Sequence, residues 1–139
     1  MMISTKGRYA LRVMLDLAGH RESGYIPLAE IAARQKISEK YLESILSVLS
    51  KAGMLDALRG KGGGYRLAKA PEDYSVYDIL CLTEGTLAPV TCMKDGESCE
   101  RAGQCPTRPM WEGLDRVITE YLSRWTVAAL LKNAQEMQP

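Results

Sequence analysis

The sequence predicts a mainly α fold with a small β-wing: a winged helix-turn-helix followed by a long C-terminal dimerisation helix. Three observations carry this. Two short amphipathic segments, Pro27 to Gln35 and one beginning after Ser38, are separated by only Lys36 and Ile37, the spacing of a helix-turn-helix. Directly after the second come two short β-prone runs joined by Gly60-Lys61-Gly62-Gly63-Gly64, a hairpin tip whose glycines accept positive φ. Near the end, apolar residues recur along one long helix in a stripe too wide for a single small domain to cover.

Taken in order, Ser4 or Thr5 caps a first helix in which Tyr9, Ala10, Val13, Met14, Leu17 and Ala18 line one face before it ends near Gly19. Lys6, Arg8 and Arg12 lie near its start and along one side, either as a solvated basic face or as phosphate contacts. His20, the single histidine, follows a glycine at that helix end, where it suits the negative pole of the helix dipole better than a metal. Gly24 to Pro27 reads as a short extended segment against the wing. Pro27 to Gln35 is the first helix of the pair. Ser38 caps the second, and Ile37 before it can staple onto Leu42. Leu42, Ile45, Leu46 and Leu49 recur at helical spacing, which leaves Glu39, Lys40, Glu43, Ser44, Ser47 and Lys51 on the other face. Gly53 stops this helix, and Met54 to Arg59 and Tyr65 to Lys69 are the strands of the wing.

After Ala70-Pro71, Tyr74 to Leu82 reads as a helix with Val76, Ile79 and Leu80 inward and Cys81 buried within it. Gly85 to Pro106 is long, polar and almost free of periodicity, and so long a structureless loop in a compact domain points to a function. It holds three of the four cysteines. Thr107 can cap a helix with Pro109 in its first turn, running to about Arg124. Along it Trp111, Leu114, Ile118, Tyr121 and Trp125 form the stripe, widened by Met110, Val117 and Leu122, and its breadth predicts a homodimer. Thr126 caps a last short helix containing Val127, Leu130 and Leu131.

A net charge of +1 conceals an asymmetry. Residues 1–70 hold 12 Lys and Arg against 6 Asp and Glu, whereas residues 71–139 hold 6 against 11. A basic part that contains a helix-turn-helix is suited to a polyanion, and double-stranded DNA is the natural one. The chain therefore divides into a winged helix-turn-helix DNA-binding domain, 1–70, and a unit of sensor loop and dimerisation helices, 71–139. No stretch approaches the length of a membrane span, and Met1 to Lys6 lead into an amphipathic helix without a signal-peptide core. The expected location is the cytoplasm, with no membrane partner. An enzyme is not expected, because no nucleophile, base and orienting partner are grouped. The glycine run follows no parallel-sheet pattern and lacks the residue order of a nucleotide-binding loop, so nucleotide binding is rejected.

In a helix-turn-helix the first turns of the second helix enter the major groove, and Ser38, Lys40, Tyr41, Glu43 and Ser44 stand there. Glu43 can accept from a cytosine amino group, while Lys40 or Tyr41 can hold phosphates or a guanine. Arg59, Gly60 and Lys61 at the wing tip can enter a minor groove or grip the backbone. The cysteines read Cys92-x6-Cys99-x5-Cys105, without the CxxC pairs usual for zinc. In a reducing compartment three thiolates on a glycine-containing loop suit an iron-sulfur cluster with one ligand from elsewhere. A thiol-disulfide switch and adventitious cysteines are the other readings.

Ser4-Thr5-Lys6-Gly7-Arg8-Tyr9-Ala10, Gln35, Tyr41-Leu42-Glu43, Arg59-Gly60-x-Gly62-Gly63-Gly64-Tyr65 and the three-cysteine loop together resemble the IscR-like family of bacterial regulators, nearly end to end. The resemblance implies a homodimeric winged-helix transcription factor, dimerised through the helix from Thr107 to Arg124. By position it points Ser38, Lys40, Tyr41, Glu43, Arg59 and Lys61 at DNA. It also implies an iron-sulfur cluster at Cys92, Cys99 and Cys105, 2Fe-2S in preference to 4Fe-4S, which aerobic purification can remove. Some family branches supply a fourth ligand from a histidine after the third cysteine or from an acidic residue of the partner subunit's first helix. Here Pro106-Thr107-Arg108 and Arg8 occupy those places, which leaves Asp95, Glu97, Glu100, a small thiol or water. The alternatives are a cluster-free thiol-redox regulator and an adaptor that binds a metabolic enzyme or a cluster-assembly protein.

Overall fold

The computed structural model describes residues 3–93 and 103–138. Among them the order is α1 (Thr5–Gly19), α2 (Leu28–Gln35), α3 (Glu39–Lys51), β1 (Leu55–Leu58), β2 (Gly64–Leu67), α4 (Val76–Glu84), α5 (Arg108–Arg124) and α6 (Val127–Glu136). Short 3-10 turns stand at Arg21–Ser23, Pro71–Asp73 and Thr91–Met93. The architecture is the expected one, mainly helical with a two-stranded wing.

The helix starts follow from their caps. Ser4, Ser38, Ser75 and Thr126 each place a side-chain oxygen to accept from a backbone N–H of the first turn, satisfying donors that have no partner within the helix. Thr107 does not do this, contrary to the sequence reading. Its backbone is already helical, at φ −92° and ψ −14°, so the hydroxyl does not face the first-turn amides. That hydroxyl lies 3.2 Å from Cys105 Sγ instead.

The main core joins Val13, Met14 and Leu17 of α1, Ile31 of α2, and Leu42, Ile45, Leu46 and Leu49 of α3. Ile37 and Leu42, the expected staple pair, are both buried in it. Tyr74, Ile79 and Val127 complete the same core from the chain beyond Ala70. α1 packs against α2, α3, β2, α4 and α6, so its register positions most of the other elements. A smaller second core gathers Val76, Leu80 and Leu87, with Ile118, Leu122, Trp125 and Leu130 packed on it.

The wing is antiparallel, with Leu55 opposite Leu67 and Leu58 opposite Gly64. Ile26 adds an isolated bridge to Tyr65, through bonds of 2.8 and 2.9 Å, which is the extended segment expected before Pro27. Gly60, Gly62 and Gly64 all take positive φ. Gly64, at φ +147°, passes so close to the Ile26 carbonyl that a Cβ there would collide with it, so only glycine fits. At the wing base Tyr74 donates its hydroxyl hydrogen to the Met54 carbonyl at 2.7 Å and accepts from the Lys69 N–H at 2.9 Å.

Two details differ from the sequence reading. Cys81 is half-buried, because the inward row of α4 is Val76, Ile79 and Leu80 and position 81 falls at its edge. The broad stripe of α5 splits into two rows. Ile118, Leu122 and Trp125 turn onto the second core, while Met110, Leu114, Val117 and Tyr121 are 57, 41, 62 and 53% exposed.

Candidate nucleic-acid interface

The turn between α2 and α3 decides where the recognition surface stands. Lys36 adopts the left-handed conformation at φ 56° and ψ 46°, unusual for a side-chain-bearing residue, and its N–H closes α2 onto Ala32. Ile37 donates to the same carbonyl at 3.1 Å, then Ser38 starts α3 with its Oγ accepting from the Tyr41 N–H at 3.2 Å.

From that start the sequence-predicted residues divide into two neighbouring groups. Ser38, Lys40, Tyr41 and Ser44 line one shallow hollow at the beginning of α3. Ser38, Lys40, Glu43 and Ser44 are exposed. The Ser44 hydroxyl donates to the Tyr41 carbonyl at 2.6 Å, so its oxygen lone pairs face outward as acceptors. Glu43 belongs to the second group, lining the groove between α3 and the wing together with Ser47, Ser50, Lys51 and Arg59. Gly60 and Lys61 stand exposed at the wing tip beside them. A helix face carrying an exposed carboxylate and hydroxyls, next to a hairpin bearing Arg59 and Lys61, can read base edges with one element and hold phosphates with the other.

Tyr41 is the exception to an outward-facing first turn. It is half-buried, and its ring meets that of Tyr9 edge to face, with centroids 5.9 Å apart at 72°. The Arg12 guanidinium lies 5.0 Å over the Tyr9 ring. The same guanidinium donates twice to Gln35, from Nε to the side-chain Oε1 at 3.1 Å and from Nη2 to the backbone carbonyl at 2.6 Å. Gln35 in turn donates from Nε2 to Asp16 Oδ2 at 2.9 Å. Asp16 also receives a fork from Arg34, and His20 Nδ1 sits 3.8 Å from its carboxylate. Burial pushes the Asp16 carboxyl up, but the bonds from Arg34 and Gln35 and the nearby charges outweigh it and hold it below its ordinary value.

Sequence reasoning missed this network. Its one visible trace is an acidic residue in the apolar row of α1, between Val13 and Leu17. A charge there calls for buried partners, yet nothing local says that they come from the end of α2.

The three cysteines are only partly in view. Cys92 lies half-buried in the Thr91–Met93 turn and Cys105 half-buried before α5, whereas Cys99 lies outside the described residues, as do Asp95, Glu97 and Glu100. Hydrogen bonds from the Thr107 hydroxyl and backbone, assisted by Arg108, hold the Cys105 thiol below its ordinary value and favour the thiolate. Among the described residues no three His, Cys, Asp or Glu side chains are grouped as metal ligands. Also among them, no helix is long and apolar enough to cross a membrane.

Comparison with known proteins fits this geometry. The family described as Rrf2, iron-dependent transcriptional regulator, matches residues 3–133. The HTH-type transcriptional regulator IscR of Erwinia tasmaniensis is 37% identical over 135 residues, 97% of this chain and 81% of that protein. Among solved structures, T. potens IscR superposes with a TM-score of 0.79 at 37% identity, covering 100% of this chain and 92% of that one. CymR, the global cysteine regulator of B. subtilis, gives 0.78 at 34% identity over 96% of this chain and 98% of its own. These relatives are named as regulators, which agrees with the lack of a grouped catalytic constellation in the sequence.

Proposed function

The chain belongs to the Rrf2 family of transcriptional regulators, not to a family of enzymes, and from that premise we propose that it is a sequence-specific DNA-binding protein, working as a homodimer on a palindromic site, whose affinity is set by an iron-sulfur cluster in the cysteine loop. The observation that carries the DNA reading is the exposed Ser38, Lys40, Glu43 and Ser44 of α3 standing beside Arg59, Gly60 and Lys61 of the wing. Glu43 accepts from a cytosine amino group in the major groove, and Lys40 with Ser38 and Ser44 meets base edges or phosphates around it. Tyr41 supports the surface from behind. Arg59 and Lys61 grip the backbone or the adjoining minor groove.

Residues 1–70 supply this surface, and residues 71–139 supply the sensor and the dimer. In the dimer Met110, Leu114, Val117 and Tyr121, spaced four, three and four apart on the exposed row of α5, meet the same row of a second copy. α4 and α6 begin side by side, with the Val76 N–H on the Trp125 carbonyl at 2.8 Å and the Val127 N–H on the Tyr74 carbonyl at 3.0 Å. The dimer helix is thus anchored to the core that carries α3.

Thiolates of Cys92, Cys99 and Cys105 would hold the cluster, 2Fe-2S in preference to 4Fe-4S. For Cys105 the chemistry supports this reading, since Thr107 and Arg108 favour its ionised form. When bound, such a cluster supplies a redox- and ligand-sensitive iron site. The loop that carries the cysteines leaves α4 at Gly85 and enters α5, so its arrangement bears on both the dimer helix and the DNA-reading core. We place the protein in the cytoplasm, where thiols stay reduced. A second reading, a cluster-free regulator that senses oxidation through Cys105, is favoured by that thiol's contact with the Thr107 hydroxyl and by the likeness to CymR, whose Staphylococcus aureus form is solved oxidised.

Selection from a randomised duplex library, followed by affinity against salt, tests the DNA reading. A palindromic site should emerge, and log affinity should fall linearly with log salt, about 0.9 for each phosphate held. No selected site and a flat salt response would refute it.

A further inference from the structure

Arg12 is an exposed cation on the first helix, linked through Tyr9 to Tyr41 at the start of α3, and its charge alone suggests a phosphate contact. Its geometry points elsewhere. The guanidinium already directs two donors to Gln35, one to the side chain and one to the backbone carbonyl, and its central carbon lies 5.0 Å over the Tyr9 ring. Gln35 is the last residue of α2, so its carbonyl is one of those left without a partner inside the helix. Arg12 therefore closes the turn of the helix-turn-helix from outside. Tyr9, held from one side by Arg12, meets Tyr41 in the first turn of α3. One residue of α1 thus touches both the turn that aims α3 and the ring that backs its first turn.

Resting on the DNA-binding reading above, we propose that Arg12 is a positioning residue for base recognition: through Gln35 and the Tyr9–Tyr41 pair it fixes where the first turn of α3 stands on the base pairs. The buried Asp16 anchors the other end, because its carboxylate holds the Gln35 amide at 2.9 Å and orients Oε1 toward Arg12. Fork geometry and a planar face are what this role requires. A lysine has the charge but neither of these.

The full-length chain and its Arg12→Ala and Arg12→Lys variants, checked for folding by circular dichroism, are compared in three measurements. Both variants should flatten base preference at the positions read by the start of α3, with selectivity falling about tenfold, while the slope of log affinity against log salt stays within about 0.3 of the parent. If Arg12→Ala lowers that slope by about 0.9, Arg12→Lys restores it and base preference is unchanged, Arg12 is a phosphate contact and the proposal fails. The third readout needs no DNA. The ring signals of Tyr41 in the NMR spectrum should shift in both variants while those of Tyr74 stay fixed, and an unshifted Tyr41 overturns the positioning role. Should the parent chain select no site, the Tyr41 shift still decides whether Arg12 holds this ring, so the two failures are told apart.

Discussion

Arg34 grips Asp16 with two donors, Nε to Oδ2 at 2.9 Å and Nη2 to Oδ1 at 2.7 Å, around a carboxylate whose side chain is only 2% exposed. Removing the guanidinium leaves a buried charge with the Gln35 amide as its main remaining support. Because the Arg34 side chain is itself 33% exposed, solvent screens part of the pair, and Arg34→Ala should destabilise the fold by about 1–3 kcal/mol. Chemical denaturation would measure it, and a loss below about 1 kcal/mol would show that the pair contributes little.

The same carboxylate predicts an acid response. Asp16 is held below its ordinary value of 3.8 in the folded chain, so its contribution is complete above the unfolded value and disappears as pH falls through the folded one. The stability difference between the parent and Asp16→Asn should therefore be constant near neutrality and shrink below about pH 4. A difference that does not change with pH would contradict this.

Gly64→Ala tests the wing. The added methyl meets the Ile26 carbonyl at a φ of +147°, so β2 must shift away from Ile26. We expect a cost of about 1–3 kcal/mol and a weakened grip by Arg59 and Lys61. Thermal melting with DNA titration checks both, and full retention of both would mean that the bridge is dispensable.

Much of this was legible in the sequence, for local reasons. α3 could be bounded because Ser38 caps it and its apolar residues repeat at one helical period, and the wing because glycines interrupt two β-prone runs. Thr107 misled because a threonine before a helix caps only if its backbone is extended, and residue type does not report φ and ψ. Periodicity gave the apolar breadth of α5 but could not say that Ile118 and Trp125 face their own core while Val117 does not. The role of Arg12 was hidden for a different reason. Its partner Gln35 lies 23 residues away, and long-range polar pairing leaves no period to read.

Specificity should follow Glu43. Replacing an acceptor that reads cytosine relaxes preference at one base pair per half-site by roughly 1–3 kcal/mol, while Arg59→Ala or Lys61→Ala weakens binding evenly across sequences and lowers the salt slope by about one. An unchanged selected site for Glu43→Ala would remove that residue from the reading surface.

Assembly should fail when the exposed row of α5 is charged. Val117, 62% exposed in a single chain, is placed at the centre of the proposed dimer face. Val117→Glu should convert a dimer into a monomer by light scattering at micromolar concentration and lower operator affinity with it. A parent chain that is itself a stable monomer would contradict the assembly.

The most direct test of the sensor account is operator affinity of anaerobically purified protein before and after complete chelation, with iron and sulfide measured in each sample. The account predicts bound iron and sulfide that Cys92→Ala, Cys99→Ala and Cys105→Ala each abolish and Cys81→Ala does not, and an affinity that changes about tenfold or more when they are removed. Affinity that stays the same as the iron leaves, or metal content indifferent to all four substitutions, would contradict it.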